Sequence, residues 1–426
     1  MLVGVGESCN IQILVLSEGD PTFQICPRRT HLGRNPRKTN PFRTKPKESS
    51  GLRERERESE RLVASEVGVL VKCFVLRITC EMKREKQPNM EKWNKSLEWA
   101  ELVLPWLPPQ DLASLSTTCK SLHQIAKSIT DYRVSDTSRG LEKHSIPISN
   151  TIDKTLYPYF LYTPFPVLGL SHSSSLSQPW GKHSLSKDIS PPMGLQNVDS
   201  LTMGSPGCGC GDCFLNEDGK KCGCRDFGGG LLEGGLEFGA ILECGSGCNC
   251  KEECRNRVNQ KGISVRLRVV KHESKGWGLH AAQLIRRGEC VCEYAGEVLT
   301  TSETKKRQLL YDELSKKGRF SHALMVVREH LPSGEACLRV NIDATRLGNV
   351  ARLINHSCDG GNLSPILVRT RGRLLPRLCL FASRDVALGE ELTFSYGASS
   401  SLGSKALSLC FCGSAGCLGV LPFEQT

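Results

Sequence analysis

Nine cysteines crowded between residues 208 and 254 constrain this chain more than any other feature. Cys208, Cys210, Cys213, Cys222, Cys224, Cys244, Cys248, Cys250 and Cys254 follow C-x-C-x2-C-x8-C-x-C, then a Gly-rich spacer of 19 residues, then C-x3-C-x-C-x3-C. Disulfides fit this pattern poorly, because C-x-C neighbours form strained bridges and nine is odd. Zinc fits it well. A structural ion takes four thiolates, and three ions need twelve bonds, which nine sulfurs supply if three of them each bridge two metals. Such a cluster leaves no position for water, so it folds the chain rather than catalysing. A DNA-reading zinc module is the rival, but no basic recognition helix lies inside the cluster. A second group, Cys410-x-Cys412-x4-Cys417, follows near the C-terminus and is one ligand short of a tetrahedron.

A chain of 426 residues with 39% hydrophobic side chains has room for two or three domains with an ordinary core. Its formal charge of +11 is unevenly spread: residues 1–95 carry 19 basic and 12 acidic side chains. A basic arm of this kind suits phosphate backbones, and a solvated tail without a partner accounts for the charge equally well. The opening apolar stretch lacks a basic leader, and Val67 to Ile78 is short and holds Lys72 and Arg77, so neither a secretion signal nor a membrane anchor is expected. In that setting metal ligation is again preferred over disulfides.

Residues 1–89 read as a disordered basic arm, with RERERE at Arg53 to Glu58. A GA-repeat tract translates as alternating Arg and Glu, which raises the expectation that this stretch is untranslated and that the natural start is Met90. Residues 96–130 carry apolar side chains at helical spacing, with Pro105, Pro108 and Pro109 as punctuation and Asp111 placed to cap a second helix. The run LPWLPPQDLASLSTTCKSLHQIA resembles the latter part of an F-box, which implies docking to a ubiquitin-ligase adaptor. A plain packing hairpin is the alternative. Residues 133–205, rich in Ser, Pro and His, read mainly as linker, with YPYFLYTPFPVLGL available to brace a neighbouring domain.

Beyond the cluster, alternating segments at Ile263 to Val270, Glu289 to Leu299, Cys337 to Ile342, Leu378 to Ala382 and Glu391 to Tyr396 predict short strands. One helix is expected at Thr301 to Lys317, started by Ser302 and Glu303. Three motifs lie among these elements. Lys275-Gly276-Trp277-Gly278-Leu279 offers backbone access and an aromatic wall. Arg352-Leu353-Ile354-Asn355-His356-Ser357-Cys358 and Glu390-Glu391-Leu392-Thr393-Phe394-Ser395-Tyr396-Gly397 follow. Taken singly, His356 and Tyr396 would be unremarkable core residues.

In this order and between two cysteine groups, the motifs resemble the SET-domain lysine methyltransferases of the suppressor-of-variegation type, and LECGSGCNCKEECRNRVNQKG looks like the end of their pre-SET region. The resemblance covers residues 208–417. It implies a mainly β fold: a β-rich, knotted SET core with an inserted helix (261–397), a three-zinc pre-SET (206–260), a post-SET zinc lid (398–426) and a small N-terminal helical segment. It further implies S-adenosylmethionine held by Lys275, Gly276, Trp277, Arg346, Arg352, Asn355 and His356, a catalytic Tyr396, and Phe394 governing how many methyl groups are added. Ser395 stands where the family commonly has Asp. Cys358 supplies the fourth sulfur for a zinc ion with Cys410, Cys412 and Cys417. Arg346 and His322 occupy channel positions often filled by Tyr in close relatives. The implied substrate is the histone H3 tail, at its ninth-position lysine, in nuclear chromatin; a non-histone protein substrate and a catalytically weak scaffold are the alternatives.

Overall fold

The computed structural model describes residues 11–14, 90–169, 176–181, 195–202, 207–210, 213, 241–316, 320–330, 337–397 and 409–422. The basic arm, with the exception of residues 11–14, and Cys222 and Cys224 lie outside these. The chain divides into two compact units, Cys26–Ile129 with Ser171–His183, and the remainder. Among the described residues no helix is long and apolar enough to cross a membrane.

The first described residues of the smaller unit, from Met90 on, are helical. Its elements are α1 (Met90–Val103), α2 (Pro109–Ser116) and α3 (Lys120–Ser135). Leu112 and Leu115 of α2 and Leu122, Ala126 and Ile129 of α3 repeat at three- and four-residue spacing, so they share a face. They bury it against Ala100, Leu104 and Leu107. Each buried leucine contributes roughly 1.5–3 kcal/mol. Trp180 closes the core at 1% exposure, with its backbone N–H on the Pro105 carbonyl at 2.8 Å. Asp111 does not cap α2. Pro108 is the N-cap and Pro109 begins the helix, which puts Asp111 in the first turn; proline needs no N–H partner there.

The larger unit is mainly β, as the sequence led us to expect, with four small sheets among its described residues. In chain order its strands are β1 (Ile11–Leu14), β2 (Ile148–Ser149), β3 (Leu161–Tyr162), β4 (Val167–Leu168), β5 (Ile241–Glu243), β6 (Leu267–His272), β7 (Gly276–Ala281), β8 (Cys290–Glu293) and β9 (Gly296–Leu299), followed by helix α4 (Thr301–Lys316). Then come β10 (Leu324–His330), β11 (Cys337–Gly348), β12 (Asn355–His356), β13 (Leu363–Thr370), β14 (Arg377–Ala382) and β15 (Thr393–Phe394). One sheet runs β1-β10-β11-β9-β4, with β3 also on β11; another runs β5-β13-β14-β8; β2-β6-β7 form a third; β12 and β15 make a two-stranded ladder. Every residue of β14 is buried, which is why its sequence, RLCLFA, is nearly continuously apolar rather than alternating.

The segment read as linker is partly structural. β2, β3 and β4 add in parallel to β6, β11 and β9, the last two because the aromatic run has apolar mass to bury. Tyr162 is fully buried and its hydroxyl donates to Glu142 at 2.7 Å. The inserted helix forms where expected, but Thr300 begins it, with the Glu303 N–H donating to Thr300 Oγ1 at 3.2 Å. Its apolar periodicity is weak, and charge holds it down instead. Arg307 reaches Glu297 of β9 at 2.7 Å and Asp343 of β11 at 2.8 Å, while the Tyr311 hydroxyl donates to the same Asp343. Both carboxylates are buried, so losing the arginine would strand two charges.

Candidate functional site

The two-stranded ladder is where the second and third motifs meet. β12 pairs in parallel with β15 so that Asn355 faces Thr393 and His356 faces Phe394. Gly361 permits the close approach: its φ is +74°, and a Cβ there would lie 2.3 Å from the Thr393 carbonyl oxygen. The chain enters β12 through a single 3-10 turn, Val350–Leu353, capped by Asn349. Asn349 Oδ1 accepts from the Ala351 N–H at 3.1 Å, and its Nδ2 donates to the Glu293 carbonyl at 2.7 Å. Sequence reasoning missed Asn349, although an Asn directly before a short turn is a capping signal.

Asn355 joins the first motif to the third. Its amide donates to Glu391 Oε1 at 2.9 Å and to the Trp277 carbonyl at 3.3 Å, and Lys275 forms an ion pair with the other Glu391 oxygen. Burial pushes the Glu391 carboxyl up, but hydrogen bonds from Lys275 and Asn355, with the charge of Lys275, outweigh it and hold the group below its ordinary value. Glu391 is thus a partly buried anion at the centre of the constellation. The sequence singled it out only as part of a motif, where it stands two residues before β15. Gly278 gives these groups room, since a Cβ there would fall 3.1 Å from Asn355 Nδ2 and 2.6 Å from His272 Nε2.

Tyr396 follows β15. Its hydroxyl donates to the Ile354 carbonyl at 2.6 Å and its ring lies 5.0 Å from that of Phe394, which is fully buried. Burial, and then the nearby Glu391 charge, raise the phenol well above its ordinary pKa. It is therefore a neutral hydroxyl at any physiological pH, with oxygen lone pairs left to accept a hydrogen bond. The Tyr396 N–H donates to His356 Nδ1 at 3.1 Å, so the imidazole proton sits on Nε2, which faces Cys358 Sγ at 3.2 Å. Burial lowers the His356 pKa and keeps the ring neutral.

Other expected residues have different surroundings. Arg352 donates to the Ala344 carbonyl at 2.7 Å and the Thr345 carbonyl at 3.0 Å, and its guanidinium lies over Phe160 at 4.6 Å. It braces the turn against β11. Trp277 has the Lys271 ammonium 4.9 Å from its ring. Arg346 lies half-buried on β11. His322 stacks on Tyr311 of α4 at 5.4 Å.

Eight of the cysteines gather in two sets of four, a geometry compatible with zinc. Cys208, Cys213, Cys244 and Cys250 converge, as do Cys358, Cys410, Cys412 and Cys417, each set with its sulfurs within 4.8 Å of one another. Separations of 3.4 Å (Cys213 to Cys244) and 3.7 Å (Cys208 to Cys213, Cys358 to Cys410) are far beyond a disulfide. They approach the roughly 3.8 Å edge of a tetrahedron with 2.3 Å zinc–sulfur bonds. Arg257 donates to Cys250 Sγ at 3.5 Å and Asn256 to Cys244 Sγ at 3.4 Å, as suits sulfurs carrying charge. In the C-terminal set, burial opposes ionisation, yet hydrogen bonding by Ser414 and its neighbours brings Cys412 down to about 5, while burial pushes Cys410 up to about 12. Both groups fit zinc. The ion in each would tie chain segments together; for the second these are the C-terminus and Cys358, two residues beyond His356.

The SET domain family matches residues 276–397. A histone-lysine N-methyltransferase of Arabidopsis thaliana, SUVR3, is 49% identical over 345 residues, spanning 78% of this chain and 93% of that protein. The human histone-lysine N-methyltransferase SETMAR is 35% identical over 253 residues, 54% of this chain and 35% of that protein. The crystal structure of the methyltransferase domain of human SETMAR covers 68% of this chain and 99% of its own, at 30% identity and a TM-score of 0.50.

Proposed function

We propose that this chain, which belongs to the family of SET-domain histone-lysine N-methyltransferases, methylates the histone H3 tail at its ninth-position lysine, acting in nuclear chromatin. The observation that carries the site assignment is the β12–β15 ladder, which holds Asn355, His356, Phe394 and Tyr396 in one place. The nine-cysteine pre-SET pattern supports the choice of lysine. Bound S-adenosylmethionine supplies a methyl group on a positively charged sulfur, open to in-line attack by an amine.

The residues of this chain do the positioning. Lys275, Gly276, Trp277, Asn355 and His356 are assigned to the methyl-donor wall with Arg346, and Arg352 acts there by holding the turn that leads into β12. The Tyr396 hydroxyl already donates to Ile354, so its oxygen accepts from the incoming lysine N–H and fixes the direction of the amine lone pair. A lysine in water has a pKa near roughly 10.4, and leaving water lowers it. No strong base is required, and the high pKa of Tyr396 excludes it as one. Charge developing at the transferred methyl is met by backbone carbonyls. The extended histone tail adds as a strand.

Product number is assigned to Phe394. A Tyr at this position would carry a hydroxyl able to hold a water where a methylated amine must turn; Phe394 has none, so the pocket accepts an amine that already carries a methyl group. With an H3 tail peptide and excess donor, mass spectrometry is expected to show di- or trimethyl product from the parent and arrest at monomethyl in Phe394→Tyr. A parent that stops at one methyl would remove Phe394 from this role.

The helical unit supports a second, separate role. Besides its F-box-like run, it leaves Trp99, Leu102 and Trp106 exposed, and we assign it to docking on a ubiquitin-ligase adaptor. Co-purification of an adaptor with the parent but not with Trp99→Ala, Trp106→Ala is the expected result; equal recovery would end that reading.

A further inference from the structure

Among the described residues outside the cysteine groups, one cluster has the composition and geometry of a metal centre. His272 ends β6, His280 lies on β7, and Glu391 precedes β15; one ligand atom from each lies within 4.8 Å of the others. The hairpin register puts both histidines on one face with Gly278 between them. The absent side chain at Gly278 is the space that the His272 ring occupies to reach His280. The rings stack with centroids 5.1 Å apart, their Nε2 atoms meet at 3.0 Å, and His272 Nε2 is 3.6 Å from Glu391 Oε1.

We propose that His272, His280 and Glu391 bind a divalent transition-metal ion, separate from the structural zinc. Two imidazole nitrogens at 2.0–2.1 Å from one ion stand about 3.0–3.4 Å apart, which is the spacing already present. His280 is also oriented as a ligand. Its Nδ1 lies 2.8 Å from the Gly389 carbonyl, which can only accept, so Nδ1 carries the proton and the Nε2 lone pair is directed at the site. Without an ion, His272 Nε2 carries the proton that meets this lone pair at 3.0 Å, and binding moves that proton to Nδ1. Glu391 contributes the anion. Nitrogen and carboxylate donors with positions left for water select Co²⁺, Ni²⁺, Cu²⁺ or Zn²⁺ over the hard cations.

Lys275 is the competitor. Its ammonium pairs with Glu391, so an ion must displace a flexible lysine to complete its shell. The same carboxylate holds Asn355. Filling the site therefore pulls on a residue assigned to the methyl-donor wall, and occupancy is expected to weaken donor binding.

Titrating the zinc-loaded full chain with Co²⁺, without methyl donor, tests this. The parent is expected to take up one Co²⁺ whose visible bands are those of nitrogen and oxygen ligands, with no near-ultraviolet thiolate band and no zinc released. His272→Gln and His280→Gln should each weaken uptake by about 10–100-fold, at least what losing a mere supporting partner costs, with zinc content and circular dichroism unchanged. Lys275→Met should tighten it. No uptake by the parent, uptake only with a thiolate band, uptake that survives both histidine substitutions, or weaker uptake by Lys275→Met would each overturn the site. Because donor is absent, failure here leaves the transferase reading standing.

Discussion

Replacing Tyr396 by Phe is expected to lower kcat/KM for a histone H3 peptide by about 100-fold or more, the scale of rate loss when a reacting group loses its positioning contact. That factor is about 2.7 kcal/mol of transition-state stabilisation. The hydroxyl belongs to a buried, neutral phenol that donates to Ile354, so its removal alters direction rather than charge. Two consequences separate this from general damage. The ring remains packed on Phe394 and His356, and the only new defect is an unpaired Ile354 carbonyl, costing about 1–3 kcal/mol of stability. Cooperative unfolding and donor affinity, read by calorimetry, should therefore persist while turnover falls. Near-parental turnover would place the decisive group elsewhere.

Replacing Cys412 by Ser should abolish measurable methyl transfer and remove one zinc. We expect four ions per parent chain, three in the nine-cysteine cluster and one at Cys358, Cys410, Cys412 and Cys417, and three in the mutant. A parent count of two or fewer would defeat the assignment. Distance does not protect the active site from this change. Cys358 Sγ accepts from His356 Nε2, and His356 Nδ1 accepts from the Tyr396 N–H, so one imidazole connects a proposed metal ligand to the backbone of the residue assigned to position the substrate. Partners of this kind are worth about 10–100-fold each, and release of the C-terminal lid admits water besides. Secondary structure and the pre-SET zinc should survive, because the β5-β13-β14-β8 and β1-β10-β11-β9-β4 sheets do not depend on this ion. Collapse of the whole larger unit would argue that the site is a keystone of folding instead.

Much of this was legible beforehand, and the exceptions have physical causes. β14 and α4 announced themselves through apolar content and start signals. β13 did not, because Pro365 interrupts LSPILVRT; it is nonetheless paired opposite Leu380, an arrangement proline tolerates only where its missing N–H is not needed. β7 was not among the predicted strands, because four of its residues, Gly276 to Leu279, sit in a glycine-rich motif. At the site, the sequence supplied Asn355, His356, Phe394 and Tyr396 through an ordered resemblance, and the cysteines through spacing alone. It could not supply Glu391 as a hub, nor the turning of Arg352 toward backbone carbonyls. Both depend on which side chains converge from distant positions, and local pattern carries no information about that.

The three short parallel strands contributed by residues 148–168 bear on how the catalytic half can be isolated. β2, β3 and β4 cap the hydrogen-bonding edges of β6, β11 and β9. A chain trimmed to begin at the cysteine cluster would keep both cysteine groups and every residue assigned to catalysis, yet would expose these backbone edges to solvent and to one another. Bare edges recruit strands from neighbouring molecules. Residues 148–168 are thus expected to guard against self-association, and the shortest soluble catalytic fragment should begin ahead of Ile148 rather than at the boundary that the cysteines suggest.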